Sequence, residues 1–212
     1  MRIVNPSATL IHHTPDPERV IERAGRVCWR SEERITDDSH VAFIRMLKGK
    51  NHESVLEHAS AGFLIVTDRG ISHELVRHRI ASYSQESTRY CGYNKGKFGG
   101  EIQVIRPSGV SEADAQWVMA MIHAETAYLE MLKRGAHPQE ARSVLPTCLK
   151  TELVMTANFR EWRHFLALRL STAAHPDIRY IADMIRAQLV VISPNVFSEW
   201  SYSENPLPVD GP

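Results

Sequence analysis

Residues 74–90 read ELVRHRIASYSQESTRY, and this signature segment organises the interpretation of the whole chain. Between Arg77 and Arg89 it holds three arginines and one glutamate, so its local charge is positive before His78 is counted. A solvated helix face would normally interleave glutamate with lysine to relieve repulsion. Arginine forks, by contrast, suit phosphates and oxygen-rich heterocycles. The segment therefore indicates either a basic surface helix followed by a polar loop or a site for a phosphorylated ligand.

A second basic segment, NFREWRHFLALR, covers residues 158–169. Asn158 and Glu161 have the spacing of a helix capping box. An apolar stripe of this helix reaches Arg169 one turn later, and its members are Trp162, Phe165 and Leu166. The other basic residues lie on a different face, namely Arg160, Arg163 and His164. Because an unpaired buried guanidinium costs several kcal/mol, we expect Arg169 to pair either with an internal carboxylate or with an anionic ligand.

The composition of the 212 residues is that of a globular protein with no overall charge bias, since 25 basic residues balance 25 acidic ones. That balance argues against a chain that coats nucleic acid or an anionic membrane through its net field. The chain length predicts a single domain over residues 1–212. No secretory signal or membrane span is evident in the sequence, so we expect a cytoplasmic location.

The hydrophobic periodicity predicts a helix-rich α+β fold with a small mixed or antiparallel sheet. Helices are expected near 17–28, 39–48, 52–58, 70–80, 111–135, 138–146, 158–171 and 177–192. Strands are expected at 2–12, 61–67, 101–106 and 149–157. Asp16 should cap the first helix, whose buried face should carry Val20, Ile21, Ala24, Val27 and Cys28. The long helix should bury Val118, Met121, Ile122, Tyr128, Leu129 and Leu132. From about residue 194 we expect an irregular tail with Phe197 and Trp200 docked.

Several familiar motifs are absent. The chain has no GxGxxG, HExxH or GxSxG sequence, and the loop from Gly92 to Gly100 lacks the spacing of a phosphate loop. Its histidine pairs are poorly spaced for a shared helical face, so we expect no metal. Cys28, Cys91 and Cys148 stand far apart, which is typical of reduced thiols. We interpret Cys28 as a packed core residue.

Arg77, His78 and Arg79, followed after seven residues by Ser87, resemble the RHR-x7-S signature of the flavin-dependent thymidylate synthases. The resemblance extends to Arg89 and Tyr90. Three other blocks occur in the expected order, and they are HESVLEH at 52–58, ARSVLP at 141–146 and residues 158–169. Together the blocks span most of the chain.

This resemblance implies an α+β enzyme that converts dUMP to dTMP, with methylenetetrahydrofolate as the carbon donor and NADPH-reduced FAD as the hydride carrier. It also implies a homotetramer with active sites shared between subunits. No cysteine of the enzyme would act as a nucleophile. Arg169 would be the catalytic residue, because its positive charge would favour the uracil ring ionised at N3.

The resemblance further assigns ligand contacts by position. The FAD contacts would be Ser54, Arg77, His78, Arg79, Gln85, Asn158, Phe159, Arg160 and His164. The dUMP contacts would be Glu74, Arg77, Gln85, Glu86, Ser87, Arg89, Arg142 and Arg169. Ser87 is interpreted as a hydrogen-bonding residue and not as a nucleophile. Two alternatives stay open: a flavin reductase-like protein that keeps only the FAD site, and a nucleic-acid-binding module that uses its arginine helices.

Overall fold

The computed structural model describes residues 1–94 and 99–200. The residues on which the rejected phosphate-loop interpretation depended, Gly96, Lys97 and Phe98, lie outside the described part, as does the tail beyond Trp200. The described strands are β1 (Arg2–Ile3), β2 (Ser7–His13), β3 (Ser60–Asp68), β4 (Ala81–Gln85), β5 (Gln103–Val104) and β6 (Lys150–Asn158). The helices are α1 (Pro17–Val27), α2 (Ser39–Gly49), α3 (Arg69–Leu75), α4 (Ala115–Lys133), α5 (Pro138–Ala141), α6 (Phe159–Arg169), α7 (Pro176–Ile192) and α8 (Pro194–Phe197). Short 3₁₀ turns cover Glu32–Arg34, Glu53–His58 and Arg142–Val144.

The predicted helix-rich α+β class is confirmed. Strands β2, β3, β6 and β4 neighbour one another in that order in one sheet, while β1 pairs in parallel with β5 in another. The predicted strand over 2–12 is therefore two strands, and Pro6 lies in the break between them. No helix in the described ranges has both the length and the apolar character that a bilayer crossing requires.

The chain divides into two compact units. The first contains Met1–Ser7, Ile65–Arg77 and Ser84–Leu153, and the second contains Ala8–Leu64, His78–Tyr83 and the chain from Val154 onward. The core of the first unit is a buried cluster of Tyr93, Ile102, Val104, Met121, Tyr128, Ala141, Cys148 and Leu149.

Helix α4 shows how local signals set the bounds of an element in the first unit. The Asp114 side chain accepts a 3.0 Å hydrogen bond from the backbone N–H of Trp117 and so caps the helix. At the other end Gly135 has a φ of 94°, and its N–H and that of Ala136 donate back to Leu132 and Met131. Of the expected buried stripe, Met121 and Tyr128 are buried, whereas Ile122 is exposed.

The second unit is built around the aromatic side of α6. The Trp162 indole N–H donates a 3.0 Å hydrogen bond to the carbonyl of Ala61, and its ring meets Phe63 edge-on at 5.1 Å. Phe165 and Leu166 are also fully buried, as the sequence predicted. Phe197 is buried, and the Trp200 ring lies 4.9 Å from the Arg163 guanidinium, although the expected irregular tail begins with the short helix α8.

Two predictions about α1 are wrong. Asp16 occupies the N-cap position with a φ of 43° but makes no side-chain cap hydrogen bond. The buried face carries Glu18, Ile21, Glu22 and Gly25, whereas Val27 and Cys28 are exposed, so Cys28 is not a core thiol.

The reason is that the two buried glutamates are satisfied within the second unit. Glu22 accepts hydrogen bonds from Arg26 at 2.8 Å and from the Ser39 hydroxyl at 2.9 Å. Glu18 accepts hydrogen bonds from Ser193 and Asn195. Hydrogen bonds offset the free-energy cost of burying a carboxylate. A prediction from hydrophobicity alone therefore assigns the wrong residues to the buried face of α1.

Candidate functional site

The signature segment leaves the helical conformation earlier than its sequence suggests. Helix α3 ends at Leu75, whereas the sequence predicts a helix to about Ile80, and residues 81–85 form strand β4 in place of the expected polar loop. As a result, the side chains of Arg77, His78 and Arg79, which we call the RHR triplet, alternate between solvent and the protein interior. His78 is 4 % exposed, whereas Arg77 and Arg79 are exposed.

His78 joins two charged groups of α6 through the two nitrogens of its ring. Its Nδ1 lies 3.1 Å from Oε1 of Glu161, and its Nε2 lies 3.1 Å from Nε of Arg169. A guanidinium can only donate, so His78 Nε2 must be the acceptor and Nδ1 must carry the proton that Glu161 accepts. We call Glu161, His78 and Arg169 the His78 network. Its hydrogen-bond directions fix the neutral Nδ1–H tautomer of His78.

The His78 network gives Arg169 a partner that the sequence did not indicate. The half-buried guanidinium donates to an imidazole, and the internal carboxylate, that of Glu161, acts on the far side of that imidazole. His164 is exposed, and its ring lies 5.6 Å from that of His78. Arg169 and His164 therefore flank the same side chain although they lie on different faces of α6.

The same neighbourhood contains three side chains of metal-binding type. Ligand atoms of His78, Glu161 and His164 lie within 4.8 Å of one another. A metal would need a free lone pair on His78, but Nε2 accepts from Arg169 and Nδ1 carries a proton. The arrangement is thus better described as a hydrogen-bonded network than as a metal site.

The tautomer has a consequence for stability. Burial lowers the pKa of His78 below its ordinary 6.5; Arg169 and His164 act in the same direction, against the hydrogen bond to Glu161. The unfolded chain therefore binds a proton at this residue before the folded chain does, and stability falls as the pH drops below about 6.5. We expect the difference in unfolding free energy between the wild type and His78→Gln to shrink from pH 8 to about pH 5 in urea titrations. A difference that does not change with pH would contradict the buried neutral tautomer.

A second polar cluster lies in the first unit and surrounds Glu86, Lys150 and Tyr93, which we call the Glu86 cluster. The carboxylate of Glu86 accepts a hydrogen bond from Tyr93 Oη at 3.0 Å and one from Lys150 Nζ at 3.2 Å. Arg69 donates to the backbone carbonyl of Glu86 at 2.7 Å. Burial raises the pKa of Tyr93 well above its ordinary value, and the carboxylate of Glu86 acts in the same direction. Tyr93 is therefore a neutral hydrogen-bond donor at physiological pH.

We expect Lys150→Met to destabilise the first unit by about 1–3 kcal/mol, because it leaves a largely buried carboxylate without its cation. The side chains of Lys150 and Glu86 are 13 % and 11 % exposed. Lys133→Met is the matched control, because Lys133 forms an exposed pair with Glu130 and should cost less than about 0.5 kcal/mol. Urea unfolding of both variants makes the comparison, and equal effects would show that the Glu86 cluster adds no stability.

The side-chain amide of Gln85 has a fixed orientation in the first unit. Its Nε2 lies 2.9 Å from the Ser72 hydroxyl and 3.1 Å from that of Thr151. Ser72 donates its only hydroxyl proton to the carbonyl of Arg69, so it must accept from Gln85. Nε2 of Gln85 therefore faces the two hydroxyls, and the amide oxygen is left as the group that can accept from a ligand.

Ser87 and Arg89, which are also assigned to dUMP, lie in the turn that follows β4. The backbone N–H of Arg89 donates to the hydroxyl of Ser87 at 3.3 Å. Arg142 lies 3.4 Å from the hydroxyl of the buried Thr88. Glu74 lies on α3 and is half-buried. In the first unit, Gln85, Ser87 and Arg89 therefore lie on one short segment, and Arg142 is hydrogen-bonded to that segment through Thr88.

The residues assigned to FAD in the second unit occupy several environments. Asn158 caps α6 by accepting from the N–H of Glu161 at 2.9 Å, and Ser54 is exposed in the 3₁₀ turn. Arg160 forms a 2.6 Å ion pair with Glu57. The Phe159 ring is fully buried, 5.0 Å from that of Phe197, so its side chain belongs to the core. Its assignment to FAD stays a prediction.

Four of the arginines that the resemblance assigns to ligands are exposed. Within residues 1–94 and 99–200, no carboxylate oxygen lies within 4.0 Å of the guanidinium of Arg77, Arg79, Arg89 or Arg142. Their charges are therefore available to an anionic ligand, and phosphate is the group that the arginine fork matches.

Sequence reasoning missed the carboxylate and the lysine that organise these clusters. It assigned Glu161 to helix capping, and it gave no role to Lys150. Glu161 lies 83 positions from His78 along the chain, and Lys150 lies 64 positions from Glu86. No local pattern could join them, although a glutamate on the aromatic side of α6 was a signal that it is buried and paired.

Comparisons with known proteins agree with this fold. A family model described as thymidylate synthase complementing protein matches residues 9–195, so the chain belongs to that family. A flavin-dependent thymidylate synthase of Geobacter sulfurreducens is 35% identical over 200 residues, which cover 90% of this chain and 84% of the relative. One from Pyrococcus abyssi is 38% identical over 184 residues, covering 82% and 75%.

A solved structure has the same fold. It is a UMP/dUMP methylase from Streptomyces cacaoi bound with 5-Br dUMP, and it matches this chain with a TM-score of 0.78 at 23% identity. The match covers 93% of this chain and 96% of that chain.

Proposed function

We propose that this protein is a flavin-dependent thymidylate synthase that methylates dUMP reductively to dTMP. Methylenetetrahydrofolate would donate the carbon, and NADPH would be the reductant. The observation that carries the proposal is the arrangement of the RHR triplet. Its outer arginines are exposed and have no carboxylate partner in the part of the chain that the structure describes, while the central histidine is bonded to Arg169. Family membership and the names of the relatives support it.

The residues present fit FAD. The phosphates of FAD are negatively charged, and the guanidinium groups of Arg77 and Arg79 can bind them. His78 lies between these two arginines in the sequence. The same cofactor is assigned to Ser54, Gln85, Asn158, Phe159, Arg160 and His164. When bound, the flavin supplies hydride-transfer chemistry, and the protein supplies orientation and electrostatics.

For dUMP, the proposed contacts are Glu74, Arg77, Gln85, Glu86, Ser87, Arg89, Arg142 and Arg169. Arg89 and Arg142 would hold the phosphate. Arg169 would place a fixed positive charge beside N3 of the uracil ring, where negative charge develops as the ring becomes nucleophilic at C5. Burial raises the pKa of Cys148 to about 11, which makes this thiol a poor nucleophile.

The test is an assay of the purified protein with all three ligands. We expect flavin bands in the absorbance spectrum, dUMP-dependent oxidation of NADPH, and dTMP as the product. NADPH oxidation that does not depend on dUMP would favour a flavin reductase. Duplex binding that weakens steeply with salt, without flavin, would favour a nucleic-acid-binding module.

We also propose that the working form is a homotetramer whose active sites are shared between subunits. Four of the exposed arginines assigned to ligands support this, because none of the four has an acidic partner among the described residues and their charges are available to a ligand held partly by another subunit. Sedimentation should give a tetramer, and dilution to the monomer should abolish dUMP turnover. Full activity at concentrations where only the monomer sediments would refute the shared site.

A further inference from the structure

The His78 network connects two charged residues of α6 that are too far apart to contact each other directly. Glu161 and Arg169 are eight residues apart, which corresponds to about 12 Å along a helix axis. The imidazole of His78 bridges this separation with a 3.1 Å hydrogen bond at each end. The Phe165 ring, one turn from each of the two charged residues, lies 5.0 Å from the His78 ring and holds its plane.

The direction of both hydrogen bonds in the network is fixed: Arg169 donates to His78, and His78 donates to Glu161. Arg169 has no acceptor and an ionised glutamate has no donor, so only the Nδ1–H tautomer of His78 satisfies both. If the imidazole carried its proton on Nε2, two N–H groups would face each other and the hydrogen bond from Arg169 Nε would be lost. The contribution of His78 to the position of the Arg169 guanidinium therefore depends on which nitrogen of His78 is protonated.

We propose that Glu161 is a positioning residue for Arg169 and acts on it through His78. Its carboxylate selects the tautomer that accepts from Arg169, and so it holds the guanidinium in one place. The inference rests on the proposed function, since it takes Arg169 to stabilise the ionised uracil. It adds a residue that would act on the position of that charge through a hydrogen bond to His78 and not through a ligand.

The surroundings of His78 agree with this role. The charged and titratable groups that face it are Glu161, Arg169 and His164, and Tyr83 donates to its backbone carbonyl at 2.8 Å. Glu161 is 6 % exposed and His78 is 4 % exposed, so water competes little for either hydrogen bond. A buried carboxylate with a defined partner imposes one arrangement more strictly than an exposed one.

The first test is a double-mutant cycle on turnover of the flavin-loaded protein. We expect Glu161→Leu to lower dTMP formation about 10²-fold, the scale for a misplaced catalytic group. Glu161→Gln should stay within about threefold of wild type, because the amide oxygen still accepts from Nδ1–H. Glu161→Leu combined with Arg169→Ala should be no slower than Arg169→Ala alone, because Glu161 acts only through Arg169.

Glu22→Gln is the matched control. Glu22 is another buried carboxylate of the second unit and is hydrogen-bonded to Arg26 and Ser39. The Glu22→Gln variant should therefore keep turnover within about threefold of wild type. Losses that add in the double variant, or a loss in Glu22→Gln as large as that in Glu161→Leu, would overturn the proposal and assign Glu161 a merely structural role.

The second test does not require activity. The two ring nitrogens of a neutral histidine have distinct ¹⁵N signals, and the His78 signals are identified by their absence in His78→Gln. Wild type and Glu161→Gln should show the Nδ1–H tautomer, and Glu161→Leu should lose it. An Nε2–H tautomer in the wild type overturns the proposal even if Glu161→Leu fails to fold. A wild type that shows Nδ1–H but makes no dTMP would refute the proposed function and leave the hydrogen-bond assignment intact.

Discussion

Replacing Arg169 with alanine should lower the turnover of dUMP to dTMP by about 10²–10³-fold, the scale for removing one aimed charge or donor. The guanidinium is half-buried at the end of the stripe formed by Trp162, Phe165 and Leu166, so its field is less screened than that of an exposed arginine. Arg169→Lys should restore turnover only in part. A point charge cannot reproduce the planar fork, which donates to His78 through Nε and carries further N–H groups beside it.

Flavin should remain bound in Arg169→Ala, because Arg77 and Arg79 are unchanged. NADPH oxidation by that flavin should also survive, since it does not need an activated uracil. Stopped-flow absorbance and product analysis separate the two half-reactions. If the variant unfolds or loses flavin while its intact fraction turns over normally, Arg169 is a structural partner of His78 and the catalytic assignment is wrong.

Replacing Arg79 with alanine should weaken flavin binding by about 1.5–3 kcal/mol, which corresponds to roughly 10–150-fold in Kd. Arg79 is exposed, and within the described ranges its guanidinium has no carboxylate partner, so its removal should leave the fold intact. The protein should purify with much less flavin, as read from the ratio of visible to ultraviolet absorbance. Titration with FAD then gives the Kd.

Arg23→Ala supplies the comparison for Arg79→Ala. Arg23 is an exposed arginine on α1 that no ligand assignment includes, so its loss should not change flavin content. Normal flavin occupancy in Arg79→Ala would remove this residue from the FAD site. An equal loss in Arg23→Ala would show that flavin responds to overall charge and not to the RHR triplet.

Those elements that carry their own boundary signals could be predicted from the sequence. Helix α4 begins at a capping aspartate and ends at a glycine, and α6 begins at Asn158, so their ends are encoded within a few residues. Strands β3 and β6 are apolar runs of strand length, and both were predicted to within about a residue at each end.

Elements whose conformation depends on distant partners could not be predicted. The α-helix beginning at Arg69 stops at Leu75 because the following residues join a sheet beside β6, and nothing within the signature segment announces that pairing. Helix α1 buries glutamates whose partners lie as far away as Asn195, 177 positions along the chain. In both cases tertiary contacts override the local pattern.

The same limit applies to the site. The signature segment allowed the outer arginines and His78 to be assigned by resemblance, but not the direction in which each side chain points. The sequence predicted that Arg169 pairs with an internal carboxylate or a ligand, but it did not indicate that Arg169 also donates to the imidazole of His78, which Glu161 contacts from the other side. A neutral imidazole carries no charge, so a search of the sequence for oppositely charged partners of Arg169 does not find His78.

The triplet Arg77–His78–Arg79 joins two exposed side chains to a buried one within three consecutive residues. Two peptide bonds connect side chains that face the solvent to one that is locked to Arg169. An anion bound by Arg77 and Arg79 would therefore restrict the backbone of His78, and a shift of His78 would move the two outer side chains. If flavin binds the outer arginines and dUMP binds Arg169, as proposed, any free energy by which flavin strengthens dUMP binding equals the free energy by which dUMP strengthens flavin binding. We therefore expect the affinities for the two ligands to be coupled through these three consecutive residues.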